Sequence, residues 1–78
     1  MYWVYILESL KDGNYYTGST AHVNDRLKRH NQGRSAATKN RRPWKLVYTK
    51  NFSNKSDAIK FEYSVKRQKS KKFIQDLY

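Results

Sequence analysis

Six carboxylates are available to this chain, and their surroundings sort them. Asp12 sits in a turn, Asp25 on the outer face of a helix, Asp57 at a helix start, Asp76 near the terminus and Glu8 just past a strand. Glu62 alone falls inside an apolar helical arc, flanked by Ala58 and Ile59 on one side and by Val65 and Lys66 on the other. A carboxylate in that position needs a partner, because an unpaired buried charge is strongly unfavourable. Lys66 one turn on, or Arg26 across the core, can supply it, and a plain structural ion pair is the competing account. As a metal ligand, one interior carboxylate can hold at most one divalent ion, completed by waters and a substrate phosphate, which is the habit of Mg²⁺. Two-metal chemistry is excluded by the count of convergent acids. His22 and His30 do not share a face for a zinc pair, the chain has no Cys, and the Walker and dinucleotide glycine patterns are missing.

The other groups able to do chemistry are phenols and cations. Tyr5 and Tyr16 belong to adjacent runs of strand composition, Tyr2 to Leu7 and Tyr15 to Thr17, joined by the turn residues Lys11-Asp12-Gly13-Asn14. Alternation puts Tyr2, Val4 and Ile6 on one face and Trp3, Tyr5 and Leu7 on the other, so Tyr5 and Tyr16 can face the same way. Gly18, two places after Tyr16, leaves room for a close approach. Aromatic residues also favour strands for packing alone, and with seven Tyr in the chain that reading is strong.

These groups need elements to hold them. Ser19-Thr20-Ala21 reads as a polar joint, with Thr20 capping a helix from Val23 to Gln32 that Gly33 ends. Val23, Leu27 and His30 recur at helical spacing, which places Arg26 and His30 together at the edge of the buried stripe. Asp25 and Arg29 are spaced for an exposed ion pair. Gly33 to Pro43 has no apolar periodicity and carries Arg34, Lys39, Arg41 and Arg42, so a mobile basic loop is expected, equally a phosphate-wrapping segment or a solvated linker.

Trp44 to Phe52 reads as a third strand, with Trp44, Leu46 and Tyr48 on one face. Asn54 and Asp57 mark the start of a second helix running to about Gln68, its stripe formed by Ala58, Ile59, Phe61 and Val65. A short terminal helix follows from Ser70, its cap, to Leu77, with Phe73, Ile74 and Leu77 apolar and Lys69, Lys71 and Lys72 exposed.

Seventy-eight residues suffice for one domain, 1–78, with a thin core and no disulfide support. Nothing in the chain resembles a membrane span or a secretory leader, and the missing Cys suits a reducing compartment, so a soluble, unprocessed, cytoplasmic protein is expected. Seventeen Lys and Arg leave a net charge of +11. That excess favours a polyanionic partner, nucleic acid rather than a membrane, because the cations are spread over helices and loops instead of lining one amphipathic helix. Arg29, Arg34, Lys39, Arg41, Arg42, Lys66 and Arg67 are the candidate nucleic-acid contacts.

The ordered set Val4-Tyr5, Tyr16-Thr17-Gly18, Arg26, His30 and Glu62 resembles the GIY-YIG nuclease domain, and more narrowly the small stand-alone UPF0213 group. The resemblance covers nearly the whole chain. It implies an α+β fold, a small three-stranded mixed or antiparallel sheet packed with about three helices. It also implies a single-metal phosphodiesterase site using Mg²⁺ or Mn²⁺. By that resemblance Glu62 matches the metal ligand, Arg26 the arginine on the scissile phosphate, Tyr5 and Tyr16 the two motif tyrosines, one of which helps activate the attacking water, and His30 a position carrying His or Tyr. Trp3, Val4 and Thr17 replace triplet residues that serve packing. Ser19 stands where several active relatives carry Lys, and an Asn that some relatives use late in the domain has no clear counterpart. The expected function is a metal-dependent endonuclease on DNA, in preference to RNA, with low sequence specificity, structure selectivity and a link to repair or processing as further expectations. The alternatives are a basic nucleic-acid-binding module with feeble or absent turnover, and a small structural partner in a larger complex.

Overall fold

The computed structural model describes residues 1–68 and 71–78. The elements are β1 (Tyr2–Ser9), β2 (Tyr15–Thr20), α1 (Val23–Asn31), a 3-10 turn (Lys39–Arg41), β3 (Trp44–Phe52), α2 (Lys55–Gln68) and α3 (Lys71–Gln75). The expected cap Ser70 and the exposed Lys69 lie outside the described residues. No helix among the described residues is long and apolar enough to cross a membrane.

The three strands form an antiparallel sheet in the order β2-β1-β3, so the first strand of the chain is its centre. This explains the unbroken apolar run of β1: Val4, Tyr5, Ile6 and Leu7 are all 1% exposed or less, because both faces of a central strand are covered. The hairpin closes where Ser9 N–H donates to the Asn14 carbonyl and Gly13 N–H to the Ser9 carbonyl, with Gly13 at φ +75°. Both strands outrun their sequence signals. Glu8 and Ser9 remain paired, to Lys45 and Trp44, and β2 continues through Gly18 and Ser19 to Thr20, opposite Trp3. The polar joint is therefore largely strand. Thr20 is buried and its Oγ1 accepts the His22 N–H at 3.0 Å, while the helix N-cap position is His22.

One face of the sheet carries Tyr5, Leu7 and Trp44 at its core, with Tyr16, Leu46 and, from α1, Val23 and Leu27 packed against them. The other face receives α2, which buries Ala58 and Val65 and sets Phe61 against Phe52 at 5.5 Å between ring centroids. A β-bulge in β3 moves residues between these layers: Leu46 pairs with Leu7 but Tyr48 pairs with Ile6, leaving Val47 as the extra residue. Tyr48 consequently lies on the α2 side, opposite to Leu46, and the uniform alternation expected for this strand is broken. Helix boundaries follow local chemistry more closely. Gly33 (φ +75°) ends α1, its N–H donating to the His30 carbonyl and the Arg34 N–H to the Arg29 carbonyl. Asn54 Oδ1 accepts the Asp57 N–H at 2.8 Å and starts α2.

The segment from Gly33 to Pro43 departs furthest from expectation. It is anchored rather than free: Thr38 is fully buried, the Trp44 Nε1–H donates to the Thr38 carbonyl at 3.0 Å, Ser9 Oγ donates to the Arg41 carbonyl at 2.7 Å, and the Leu10 N–H reaches the Pro43 carbonyl. Polar side chains and backbone groups hold it, which is why apolar periodicity did not register.

Candidate active site

The site forms at the open edge of the sheet, where β2 is overhung by α1 from one face and α2 from the other. In the β1–β2 register Leu7 pairs with Tyr16 and Tyr5 with Gly18, so both phenols lie on the α1 side. Their ring centroids are 6.3 Å apart. The Tyr5 ring lies across Gly18 so tightly that a Cβ at that residue would stand 2.5 Å from the phenol oxygen. The close approach allowed by Gly18 is thus taken by Tyr5 itself.

His30 completes this cluster. It is 1% exposed rather than at the edge of the helix stripe, its Nε2 lies 3.0 Å from the Tyr5 hydroxyl, and its Nδ1 lies 2.7 Å from Thr38 Oγ1. Thr38 Oγ1 in turn points its proton to the Ser35 carbonyl at 3.5 Å. The imidazole proton therefore belongs on Nδ1, leaving Nε2 to accept from Tyr5. Burial, reinforced by the positive charge of Arg26 and Arg29, holds the His30 pKa below its ordinary value. The Tyr5 phenol is pushed well above its ordinary range, chiefly by burial and then by Tyr16, with the Arg26 guanidinium opposing. Tyr16 is half-buried, 4.9 Å from the His30 ring, and is the phenol with access to solvent.

Glu62 approaches from α2. Its side chain is 12% exposed, Oε1 accepts the Ser19 hydroxyl at 2.6 Å, and Oε2 lies 2.7 Å from Lys66 Nζ. The partner is therefore Lys66, and no Arg26–Glu62 ion pair forms among the described residues. Lys66 Nζ also stands 6.0 Å from the Tyr16 ring centroid, and the Glu62 charge acts on Tyr5.

No cluster of three or more His, Cys, Asp or Glu forms among the described residues. Each Glu62 oxygen has accepted one donor and keeps a second lone pair, so the carboxylate can serve one hard cation completed by water and substrate oxygens. Lys66 Nζ is its built-in competitor.

The predicted nucleic-acid contacts are spread over separate hollows and exposed positions. Arg41 lines a groove with Tyr16 and Lys66, and its Nε pairs with Asp12 at 3.5 Å. Lys39 and Arg42 instead line a separate hollow with Lys11 and Asn31. Arg29 accompanies Arg26 beside Thr20 and His22, and no Asp25–Arg29 ion pair forms among the described residues. Arg34 and Arg67 are exposed. Thr38 is the site neighbour that sequence reading missed, since a single Thr in a basic, aperiodic segment carries no signal of burial.

The profile of the GIY-YIG catalytic domain matches residues 1–75. The chain belongs to the GIY-YIG family. UPF0213 protein SERP0126 of Staphylococcus epidermidis is 44% identical over 79 residues, covering 96% of this chain and 95% of that protein. UPF0213 protein BH0048 of Halalkalibacterium halodurans is 44% identical over 72 residues, covering 91% of this chain and 76% of that protein. A solution NMR structure of UPF0213 protein BH0048 from Bacillus halodurans superposes with a TM-score of 0.59 at 42% identity, covering 99% of this chain and 82% of that one. In this GIY-YIG chain the two triplets that define the name, Trp3-Val4-Tyr5 and Tyr16-Thr17-Gly18, are neighbours across one strand pair. The GIY-YIG domain is that of a nuclease superfamily, which acts on nucleic acid with divalent metal ions.

Proposed function

We propose that this GIY-YIG chain is a metal-dependent endonuclease that hydrolyses phosphodiester bonds in DNA with low sequence specificity. The observation that carries the reading is the convergence of Tyr5, Tyr16, Arg26, His30 and Glu62 from four elements at one edge of a three-stranded sheet. A binding surface alone has no need of a carboxylate sheltered to 12% exposure.

In this reading Arg26 holds the scissile phosphate and offsets charge on its non-bridging oxygens as the phosphorus becomes five-coordinate. Tyr5, kept neutral by burial and too sheltered to meet the attacking water itself, donates its hydroxyl to His30 Nε2, and Thr38 holds the imidazole in the tautomer that accepts it, so this buried pair braces Tyr16. Tyr16, the more accessible phenol, orients that water. Glu62 is the residue that would hold a single Mg²⁺ or Mn²⁺, whose charge supports the leaving oxygen when bound. A cytoplasmic place in DNA repair or processing, and selection of DNA by structure instead of sequence, complete the proposal.

Two features favour a second reading, a binding module with little turnover. Ser19 contributes a hydroxyl where, by the family resemblance, several active relatives carry Lys, and Lys66 occupies one Glu62 oxygen. The deciding experiment is cleavage of supercoiled, single-stranded and branched DNA with Mg²⁺ or Mn²⁺ by the wild type and by Glu62→Gln. Cleavage by the wild type alone establishes the nuclease; salt-sensitive binding by both without cleavage establishes the module.

A further inference from the structure

Beside the catalytic cluster, a groove of about 470 Å³ runs along the open edge of β2. Its cations are Arg41 from the 3-10 turn, Lys66 from α2 and Lys71 from α3; Tyr15 and Tyr16 supply aromatic surface, and Val65 and Ile74 an apolar lining. Among the described residues no carboxylate lines it. Asp12 pairs with Arg41 and Glu62 with Lys66, while Lys71 makes no ion pair among the described residues. The volume falls within the range of small-ligand sites and suits a nucleotide or so.

We infer that this groove holds an unpaired nucleic-acid strand immediately beside the scissile phosphate, an assignment that rests on the nuclease reading for its direction. The chemistry is that of a single-strand site: cations for the phosphates, with phenol rings and aliphatic carbon for the exposed faces of bases. A duplex hides its base faces in the stack and gains nothing from Tyr15, Val65 or Ile74. Tyr15 is also held ready. Its hydroxyl lies 3.0 Å from that of Tyr78 and accepts from Gln75 Nε2 at 3.4 Å, so the final segment of the chain fixes the ring before any ligand arrives. Since β2 is an edge strand, the backbone groups of Tyr15 and Thr17 that point away from β1 pair with no further strand among the described residues and add donors and acceptors that tolerate any base. Tyr16 and Lys66 belong both to the groove and to the catalytic cluster. The favoured substrate is accordingly nucleic acid in which an unpaired strand adjoins the bond to be cut, as at an overhang or flap.

The test is binding of the wild-type chain in EDTA, read by fluorescence anisotropy, to three labelled DNAs: an oligothymidylate, a blunt duplex, and the same duplex with a thymidylate overhang. The oligothymidylate and the overhang are expected to bind about tenfold tighter than the blunt duplex, the increment of a stacked base. Lys71→Gln and, separately, Tyr15→Leu should remove most of that advantage while weakening the blunt duplex far less, with circular dichroism confirming that each variant is folded. Equal binding of the blunt duplex and the overhang, or variants that weaken all three DNAs alike, overturns the assignment. Because no metal is present, its failure is separable from failure of the nuclease reading. Overhang preference without cleavage in the Glu62→Gln comparison would retire the nuclease and keep the groove, and cleavage without overhang preference the reverse.

Discussion

Tyr5 and Gly18 are register partners, and the phenol ring of one occupies the space where the other would carry a side chain. Any Cβ at residue 18 meets the Tyr5 oxygen at 2.5 Å and the ring carbons at 2.7 and 3.0 Å. Tyr5 is central to the core and bonded to His30, so it has no free direction in which to yield. Gly18→Ala should therefore destabilise the fold by about 1–3 kcal/mol, the usual range for overpacking, and pull the Tyr5 hydroxyl off His30. Denaturant unfolding checks the first effect and the His30 imidazole NMR shifts the second.

Thr38→Val keeps shape and removes the acceptor for the buried His30 Nδ1–H. Leaving that group without a partner should cost about 1–3 kcal/mol. The Trp44 indole bond to the Thr38 backbone carbonyl survives the change, so near-ultraviolet dichroism of Trp44 should persist while the unfolding midpoint falls.

The depressed pKa of His30 sets a direction for pH dependence. The ordinary value is 6.5; as pH falls through it, the unfolded chain takes up a proton that the folded chain refuses. This contribution to stability is complete above that value and is lost as pH falls toward the lower folded-state pKa. Urea titrations between about pH 8 and pH 5 should show wild-type stability declining towards acid, with a flatter profile for His30→Gln.

Lys66→Met tests the competition at Glu62. The ion pair joins a half-exposed ammonium to a largely sheltered carboxylate one turn away, so its loss should change stability by about 1 kcal/mol or less. With Oε2 released, Mn²⁺ should bind several-fold tighter, measured by electron paramagnetic resonance of the free ion. Unchanged Mn²⁺ affinity would mean that Lys66 is no competitor.

Arg41 and Arg42 are adjacent in sequence but face different hollows. Arg41→Ala should weaken DNA binding and reduce the slope of log affinity against log salt by about one. Arg42→Ala should do less, since its Nε already donates to the Lys39 carbonyl and its guanidinium covers Gly33. Salt titrations of both variants on one DNA distinguish them.

Features set by neighbouring residues could be read from the chain alone. The turn at Gly13, the α1 stop at Gly33, the β3 span Trp44–Phe52 and the Asn54 start of α2 each depend on backbone preferences within a few residues. Glu62 was legible because a carboxylate in an apolar helical arc is anomalous; strand alternation allowed Tyr5 and Tyr16 a shared face, and the pairing of Leu7 with Tyr16 decided it. What tertiary structure decided was everything that depends on pairing at a distance. The bulge that sends Tyr48 to the α2 side arises from the β1–β3 register, the burial of His30 and Thr38 from the packing of the 33–43 segment beneath Trp44, and the division of Arg41 from Lys39 and Arg42 from how that segment turns. Periodicity records which way a side chain points from its own element; it does not record what stands opposite, and at this site the opposing residue determines whether a phenol, an imidazole or a carboxylate is neutral, paired or free to react.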